Sequence, residues 1–310
     1  MTHLTAGDIS PLYETTEPTY AHVAGGVTSY YADLKGDGGS FTPTDNPNMN
    51  IAWRHDSRAF NIADDVPTCL DAGYSDVVEA RDASGWEKII KYAIGDTGTT
   101  AGTPRLKSRT TTLPVKVSNR YDGLIYTGCK TDRLEIRADQ PGGIVEFDET
   151  VLAANSHIQQ YPTRPFNPPA GLSTIPALQW MNGVKVGSNT IYPQSFRISI
   201  NNNLGRVRGW DDEIGRACTV GLPEGRLEME MEMEVWREDL AEIAKASSGV
   251  SGVNMAQSIV LTLGTVHPKE LHLYATPLLD GQFSALIQDK QMETLRFRIE
   301  SLYLETPESS

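Results

Sequence analysis

With 310 residues, the chain is long enough for one large domain or two ordinary ones, and its formal net charge of −13 argues against a surface that grips nucleic acid. Apolar residues make up 39% and charged residues 22%, and the 27 Gly and 18 Pro favour a folded, turn-rich β protein over a helical bundle. The three cysteines form no CxxC pair, and no apolar run approaches the roughly 20 residues of a membrane span. The composition therefore excludes the usual zinc-finger, disulfide-framework and membrane-helix patterns.

The first 50 residues are rich in Gly, Thr, Pro, Asp and Asn and lack the basic and apolar regions of a secretory signal. We expect an extended N-terminal arm over residues 1–50, with little regular structure, that docks on a neighbouring molecule. Strands are predicted from residue 50 to 55 and over 74–80. A helix is predicted over 84–94 because apolar residues recur at helical spacing and Ser84 can cap it. The core-facing residues of this helix are Trp86, Ile89, Ile90, Ala93 and Ile94.

A proline-rich segment, residues 158–176, contains five prolines, so it should run extended and stay out of a central sheet. It is the predicted linker between a first β domain over 51–157 and a second over 177–305, with a C-terminal tail over 306–310. A long loop is expected over 95–108. The remaining predicted strands are 109–118, 122–129, 131–138, 143–153, 178–187, 190–201, 214–220, 257–266, 269–275, 282–288 and 290–304, and a second helix is predicted over 237–246.

The most informative stretch runs from Arg226 to Trp236 and reads R-L-E-M-E-M-E-M-E-V-W. Strict alternation predicts a β-strand with an apolar face and a carboxylate face. Glutamates two apart on one face lie ~7 Å from each other, and each pair repels by ~0.6 kcal/mol in water but by ~2.4 kcal/mol at an effective dielectric near 20. The carboxylate face must therefore be wet. It comprises Glu228, Glu230, Glu232 and Glu234, and the expected core residues are Met229, Met231, Met233, Trp86 and Trp236.

The last predicted strand also alternates. Its pattern is expected to place Leu295, Phe297, Ile299, Ser301 and Tyr303 on one face. The other face is expected to carry Arg296, Arg298, Glu300 and Leu302.

No catalytic or metal-binding pattern is convincing. The run from Gly123 to Thr131 resembles a phosphate-binding loop, but Cys129 separates the second Gly from the Lys and the run lies between strands. Residues 33–38 lack the twelfth-position Glu of a calcium loop, and His267 and His272 have the wrong spacing for a helical metal site. Four equivalent wet glutamates do not offer the divergent pKa values that acid–base catalysis needs. We therefore expect neither an enzyme nor a cofactor.

Two stretches resemble the tail tube proteins, or major tail proteins, of long-tailed viruses of bacteria and archaea. The first begins at L113-P-V-K-V and continues from Tyr126 to Ala153, with a Gly-Cys step, an alternating strand, a Gly-rich turn and a long closing strand. The second runs from Pro193 to Leu204 and from Leu222 to Trp236, where a strand ends in asparagines before a loop and a Gly-Arg start to the next strand. The likeness covers roughly residues 50–305.

The resemblance implies a mainly β fold with flanking helices, a β-sandwich or half-barrel, whose inner strands form a closed barrel around a channel when subunits assemble. Rings would stack into a tube in the virion, made in the host cytoplasm, through which genomic DNA passes without specific binding. Partners would be further copies of the chain, a tape-measure protein and tail terminator or baseplate proteins. The wet glutamates would line the channel, where an acidic wall repels DNA.

Two questions stay open at the level of sequence. The two halves share an order of elements, so they are either tandem copies that give a trimer with pseudo-sixfold symmetry or unrelated stretches, with six chains per ring. Arg296 and Arg298 either contact a neighbouring subunit or are solvated charges on a strand. The alternative function is a monomeric β-rich binding module of a virion, for a receptor or a carbohydrate, and it would expose an aromatic platform or a deep cleft.

Overall fold

A computed structural model describes most of the chain. It covers residues 12–16, 29–34, 41–44, 46–50, 66–82, 86–95, 106–117, 119–163, 175–187, 189–211, 216–236, 257–278 and 292–305. The strands in chain order are β1 (Leu12–Thr16), β2 (Ser29–Leu34), β3 (Phe41–Pro43), β4 (Asn46–Asn50), β5 (Val66–Glu79), β6 (Arg109–Val117), β7 (Arg120–Ala138), β8 (Glu146–Ala153), β9 (Asn155–Tyr161), β10 (Trp180–Val186), β11 (Asn189–Ile191), β12 (Ser195–Asn201), β13 (Val207–Asp211), β14 (Arg216–Gly221), β15 (Glu228–Trp236), β16 (Gln257–Leu263), β17 (Lys269–Leu278) and β18 (Met292–Glu305). The helix α1 spans Glu87–Ile94.

Sixteen of these strands form one large antiparallel sheet, so the prediction of a mainly β protein is confirmed. The strand order is β11-β10-β16-β17-β18-β15-β12-β7-β6-β1-β2-β5-β3, with β4, β8 and β9 paired beside this path. No closed barrel forms within the described part of the single chain. The pairing of β12 with β7 joins the two halves of the sequence, in register from Phe196 opposite Ala138 to Asn201 opposite Arg133.

Strand β7 is the spine of the sheet. The sequence predicts two strands over 122–129 and 131–138, but the structure has one strand of 19 residues. Its first half pairs with β6 and β9, and its second half pairs with β8 and β12. Gly128 lies between the two halves with φ of 65°, a conformation that glycine adopts without steric cost. The strand therefore changes partners where the sequence offers a flexible residue.

Helix α1 covers one side of this sheet. The predicted helix over 84–94 is present from Glu87, and its buried apolar side chains pack on the core. The Trp86 ring, 1% exposed, lies 6.4 Å from the Phe147 ring between centroids. Beyond the end of β12, the buried Asn202 donates hydrogen bonds from Nδ2 to the carbonyl oxygens of Ala93 and Thr131, at 2.8 and 2.9 Å. The side-chain amide of Asn202 therefore connects helix α1, strand β7 and the second half of the sequence.

The N-terminal segment carries more regular structure than its composition indicates. Four strands, β1 to β4, lie within residues 1–50 and pair with β5, β6 or each other, so the expectation of little regular structure was wrong. Turn-forming residues dominate this segment, and its strands are specified by partners distant in sequence rather than by a local hydrophobic period.

Strand β18 changes faces part-way along its length. Its register against β17 shifts so that Tyr274 faces Ser301 whereas Ala275 faces Ile299, which leaves Glu300 as an extra residue. An extra residue inverts the alternation that follows it. Leu302 is therefore buried and Ser301 and Tyr303 are exposed, the reverse of the sequence expectation. Before the shift, Phe297 and Ile299 are buried as expected.

A second tie between the halves involves Asp82. Its carboxylate accepts hydrogen bonds from the backbone N–H groups of Thr265, Val266 and His267 and from the Thr265 hydroxyl, in the turn between β16 and β17. Burial raises the pKa of Asp82, but these hydrogen bonds favour the ionised form and outweigh burial, so the pKa lies below its ordinary value.

Several predictions fall wholly or partly outside the described residues. These are the strand from 51 to 55, the loop over 96–105, the linker over 164–174, the helix over 237–246, the strand over 282–288 and the tail over 306–310. The start of the predicted linker, from 158 to 161, is the end of strand β9.

Candidate functional site

Strand β15 has two faces of opposite character. Met231 and Met233 are 0% and 1% exposed, and Met229 is buried with them in the core. Glu228, Glu230 and Glu234 are exposed and Glu232 is half-buried, in strict alternation with the methionines. The period-2 pattern in the sequence thus corresponds to a strand with one dry and one wet side.

Trp236 differs from the expectation for it. It is half-buried at the end of β15 and lies on the side of the glutamates rather than in the core. The reason is parity, since position 236 is an even number of residues from Glu234 and side chains two apart share a face. Trp86, by contrast, is in the core.

The wet side of β15 continues onto its neighbours and forms what we call the polar face. On one side, Arg197 and Ser199 of β12 lie opposite Glu232 and Glu230. On the other side, Arg296 and Arg298 of β18 lie opposite the same two glutamates. Across β8, β7, β12, β15 and β18, its charged residues include Glu135, Glu146, Asp148, Glu228, Glu230, Glu232, Glu234, Arg133, Arg137, Arg197, Arg296 and Arg298.

Three arginines of the polar face surround one carboxylate. Glu135, 5% exposed, has Arg197 at 2.7 Å, Arg137 at 3.5 Å and Arg133 at 3.7 Å between side-chain nitrogen and oxygen. Arg137 also donates two hydrogen bonds to Glu146, at 3.0 and 3.2 Å. The hydrogen bond to Glu146 raises the pKa of Arg137. The arginines on this side are therefore held by carboxylates.

The strand β18 supplies a further pair. Arg296 Nε lies 2.8 Å from Glu232 Oε1, so the arginine pairs within its own chain. Arg298 is exposed and lies opposite Glu230 in the register. The net charge of the surface in front of β15 is consequently closer to zero than the sequence of this strand predicts. The charged residues named above comprise seven carboxylates and five arginines, a net charge of −2, and the exposed Glu300 and Glu305 further along β18 make this surface more negative.

A shallow groove of about 330 Å³ crosses the polar face. Its walls include Arg137, Arg197, Glu232, Glu234 and Arg296. Binding sites for small organic ligands are mostly apolar with a few polar groups, and this groove has the opposite character. The geometry therefore favours a hydrated wall over a small-molecule pocket.

A second charged cluster, which sequence reasoning missed, lies inside the core. Arg109 Nη2 is 2.8 Å from Glu149 Oε2, and both side chains are almost fully buried. Arg109 also donates to Thr131 at 2.8 Å, and its guanidinium lies 4.5 Å from the centroid of the Tyr92 ring. The hydroxyl group of Thr131 donates in turn to Glu149. The polar run from Lys107 to Thr112 gives no local signal that the Arg109 side chain would meet Glu149 of β8 in the core.

Two kinds of site are not found in the described part of the chain. No group of three or more His, Cys, Asp or Glu residues there could hold a metal ion. The described helix is too short to cross a membrane. Comparison with protein-family models and with curated proteins gives no match for this sequence.

Proposed function

We propose that the protein is the structural subunit of a viral tail tube, which assembles side by side into rings that stack around a DNA channel. In this proposal the polar face looks into the channel and the methionine face looks into the subunit. The proposal includes a finer fold assignment, in which the chain carries the tail-tube fold in two tandem copies. The inner strands of these copies close into a barrel only in the oligomer.

The observation that carries the proposal is the uncovered polar face of a large antiparallel sheet. Its core side is sealed by residues such as Met231, Ile198 and Phe297, each at most 1% exposed. Its other side presents charged side chains from five adjacent strands, with no described element packed over Glu228 or Glu230. A sheet that is dry on one side and hydrated on the other suits the wall of a water-filled barrel.

The charge pattern suits DNA passage. Arginines bind phosphates strongly when free, and a basic wall would retain DNA by releasing counterions. On this face Arg133, Arg137 and Arg197 surround Glu135, and Arg296 pairs with Glu232. The remaining exposed glutamates leave a small negative excess, which repels phosphates without a deep electrostatic trap. DNA would therefore pass without specific binding.

Assembly would also close sheet edges. Strand β11 ends the sheet and pairs only with β10, and β9 pairs only with β7 among the described strands. Open edges are sites for pairing with another chain. A trimer is expected if both halves carry the tube fold, and a hexamer if one does. Tape-measure and terminator or baseplate proteins would set the length and the ends of the tube.

Negative-stain electron microscopy of the concentrated protein tests the proposal. We expect rings or tubes with a central hole and threefold or sixfold symmetry, favoured at salt concentrations that screen the net charge of −13. A uniform monomer at every salt and protein concentration would contradict it and would favour the monomeric binding module of a virion.

A further inference from the structure

Within the polar face, one carboxylate differs from those of β15 in its burial. Glu135 is 5% exposed, whereas three of the four glutamates of β15 are exposed. It lies on β7 between Arg133 and Arg137, and side chains two apart on a strand share a face. Glu135 is therefore at the base of the arginine group and is not one of the wet glutamates that the alternating sequence of β15 identifies.

The arginines around Glu135 would repel one another without it. Arg137 and Arg197 are directly opposite in the register of β7 and β12, and like charges in that arrangement are destabilising. Between side-chain nitrogen and oxygen, Glu135 lies 3.5 Å from Arg137 and 2.7 Å from Arg197. Arg133 lies 3.7 Å away on the same strand. One carboxylate supplies a counter-charge to three guanidinium groups.

The contact between Glu135 and these arginines is chiefly one of charge. Its Oε1 atom is buried and accepts no hydrogen bond of good geometry from the described residues, although buried polar atoms normally form one. Attraction to three nearby cations can hold a carboxylate ionised at this depth without such a bond. The arrangement is that of a counter-ion rather than of a hydrogen-bonded structural link.

Two of the three arginines depend on Glu135 alone. Among the described carboxylates, only Glu135 forms an ion pair with Arg133 or with Arg197, whose side chains are 60% and 51% exposed. Arg137, by contrast, also pairs with Glu146. An exposed guanidinium group without a counter-charge matches phosphate with several N–H donors. Loss of Glu135 would therefore turn two paired arginines into phosphate-binding groups.

We infer that Glu135 is the residue that keeps the polar face from binding DNA. The inference rests on the proposed function, in which DNA moves along this face. It differs from the expectation based on sequence, which gives that role to the glutamates of β15. Of those four, only Glu232 pairs with a described arginine, so replacing any of the other three reduces negative charge without releasing a guanidinium group. Glu135 is a positioning residue, because its carboxylate holds arginines away from phosphates.

Fluorescence anisotropy with a short labelled DNA duplex tests the inference on the full chain, at low salt and at a concentration where the protein is monomeric. We expect Glu135→Gln to bind at least about tenfold more tightly than wild type. The plot of log K against log salt should be steeper by about 0.9 for each of the two arginines released. Urea unfolding checks that the variant is folded.

Glu234→Gln is the matched control. It changes the net charge by the same amount and lies on the wall of the same groove, but Glu234 accepts its hydrogen bond from Ser195 and pairs with no described arginine. We expect its DNA binding to stay within about twofold of wild type, with an unchanged salt slope. Glu135→Asp, which keeps a carboxylate beside the arginines, should stay within about threefold.

A double variant, Glu135→Gln/Arg197→Gln, identifies the groups that act. It has the net charge of wild type but leaves Arg133 without a carboxylate, so it should bind about threefold more tightly than wild type and more weakly than Glu135→Gln. If Glu135→Gln does not fold, the double variant carries the test, and binding no tighter than that of wild type would overturn the inference.

Equal gains in Glu135→Gln and Glu234→Gln would also overturn it, because net charge rather than released arginines would then determine binding. No gain in Glu135→Gln would have the same meaning. The titration requires no assembly, so its failure leaves the tube proposal standing. If wild type forms no ring, the tube proposal fails, and the titration still decides whether Glu135 neutralises the arginines.

Discussion

Two ion pairs of the protein have the same length and opposite surroundings. Arg109 and Glu149 are 2.8 Å apart in the core, with side chains 0% and 4% exposed. Arg296 and Glu232 are also 2.8 Å apart, on the polar face, with side chains 56% and 34% exposed. Distance alone would rank them as equals. Burial separates them, since water screens the second pair and is excluded from the first.

The buried pair and the exposed pair should therefore differ in how well they tolerate a change of charge. In the core, the charge of Arg109 has specific partners, including Thr131 and the ring of Tyr92. Removing one member of the ion pair leaves the other charge buried without a counter-charge. For the exposed pair of Arg296 and Glu232, a lost partner is replaced by water. The same logic distinguishes the two sides of β15, where Met231 and Glu230 are adjacent in sequence and opposite in environment.

The largest effect is expected for Met231→Asp. It places a carboxylate with no counter-charge at a position that is 0% exposed, so we expect a loss of at least about 5 kcal/mol in the free energy of unfolding and mostly insoluble protein. Met231→Leu is the matched control and should cost less than about 1.5 kcal/mol. Urea denaturation measures both. Soluble, stable Met231→Asp protein would mean that the faces of β15 are assigned the wrong way round.

Arg109→Met should have the next largest effect. It keeps the bulk of the side chain but leaves Glu149 buried without its cation, which costs about 3–5 kcal/mol. The double variant Arg109→Met/Glu149→Leu removes both charges and should recover a large part of this loss. Thermal and urea unfolding of the wild type and the two variants give the coupling energy. A small effect of the single variant would show that water reaches the cluster.

Asp82→Asn should have an intermediate effect, a loss of about 1–3 kcal/mol, because an amide oxygen replaces a carboxylate that accepts four hydrogen bonds. The pKa of Asp82 is lower in the folded protein than its ordinary value of 3.8. Its contribution to stability is therefore complete above pH 3.8 and is lost as the pH falls through the lowered pKa. Urea unfolding between pH 2 and 7 should show this acid-dependent difference between wild type and variant. A constant difference would contradict it.

Arg296→Gln should have the smallest effect. The pair with Glu232 is solvent-exposed, so we expect a change below about 1 kcal/mol that shrinks further in high salt. Chemical denaturation at low and high ionic strength measures it. A loss comparable to that of Arg109→Met would show that the polar face is covered in solution, for example by another copy of the chain.

The sequence predicts features that repeat within a few residues. The alternation in β15 specifies its faces, and the apolar spacing from Trp86 to Ile94 predicts α1. Features that depend on one extra residue or on a distant strand cannot be predicted from a local sequence pattern. The insertion at Glu300 inverts the end of β18, and no local pattern announces it. Likewise, the fold brings Arg109 of β6 to Glu149 of β8, forty residues later, and periodicity does not encode this tertiary contact.

The ladder between β7 and β12 has a consequence for anyone who divides this chain. If either half were expressed alone, six consecutive residues would lose their partners in the strand pairing, and an unpaired strand edge would be exposed to solvent. Each fragment alone should aggregate, and mixing the two fragments should restore solubility. The join that makes one sheet from two stretches of sequence also makes each stretch dependent on the other.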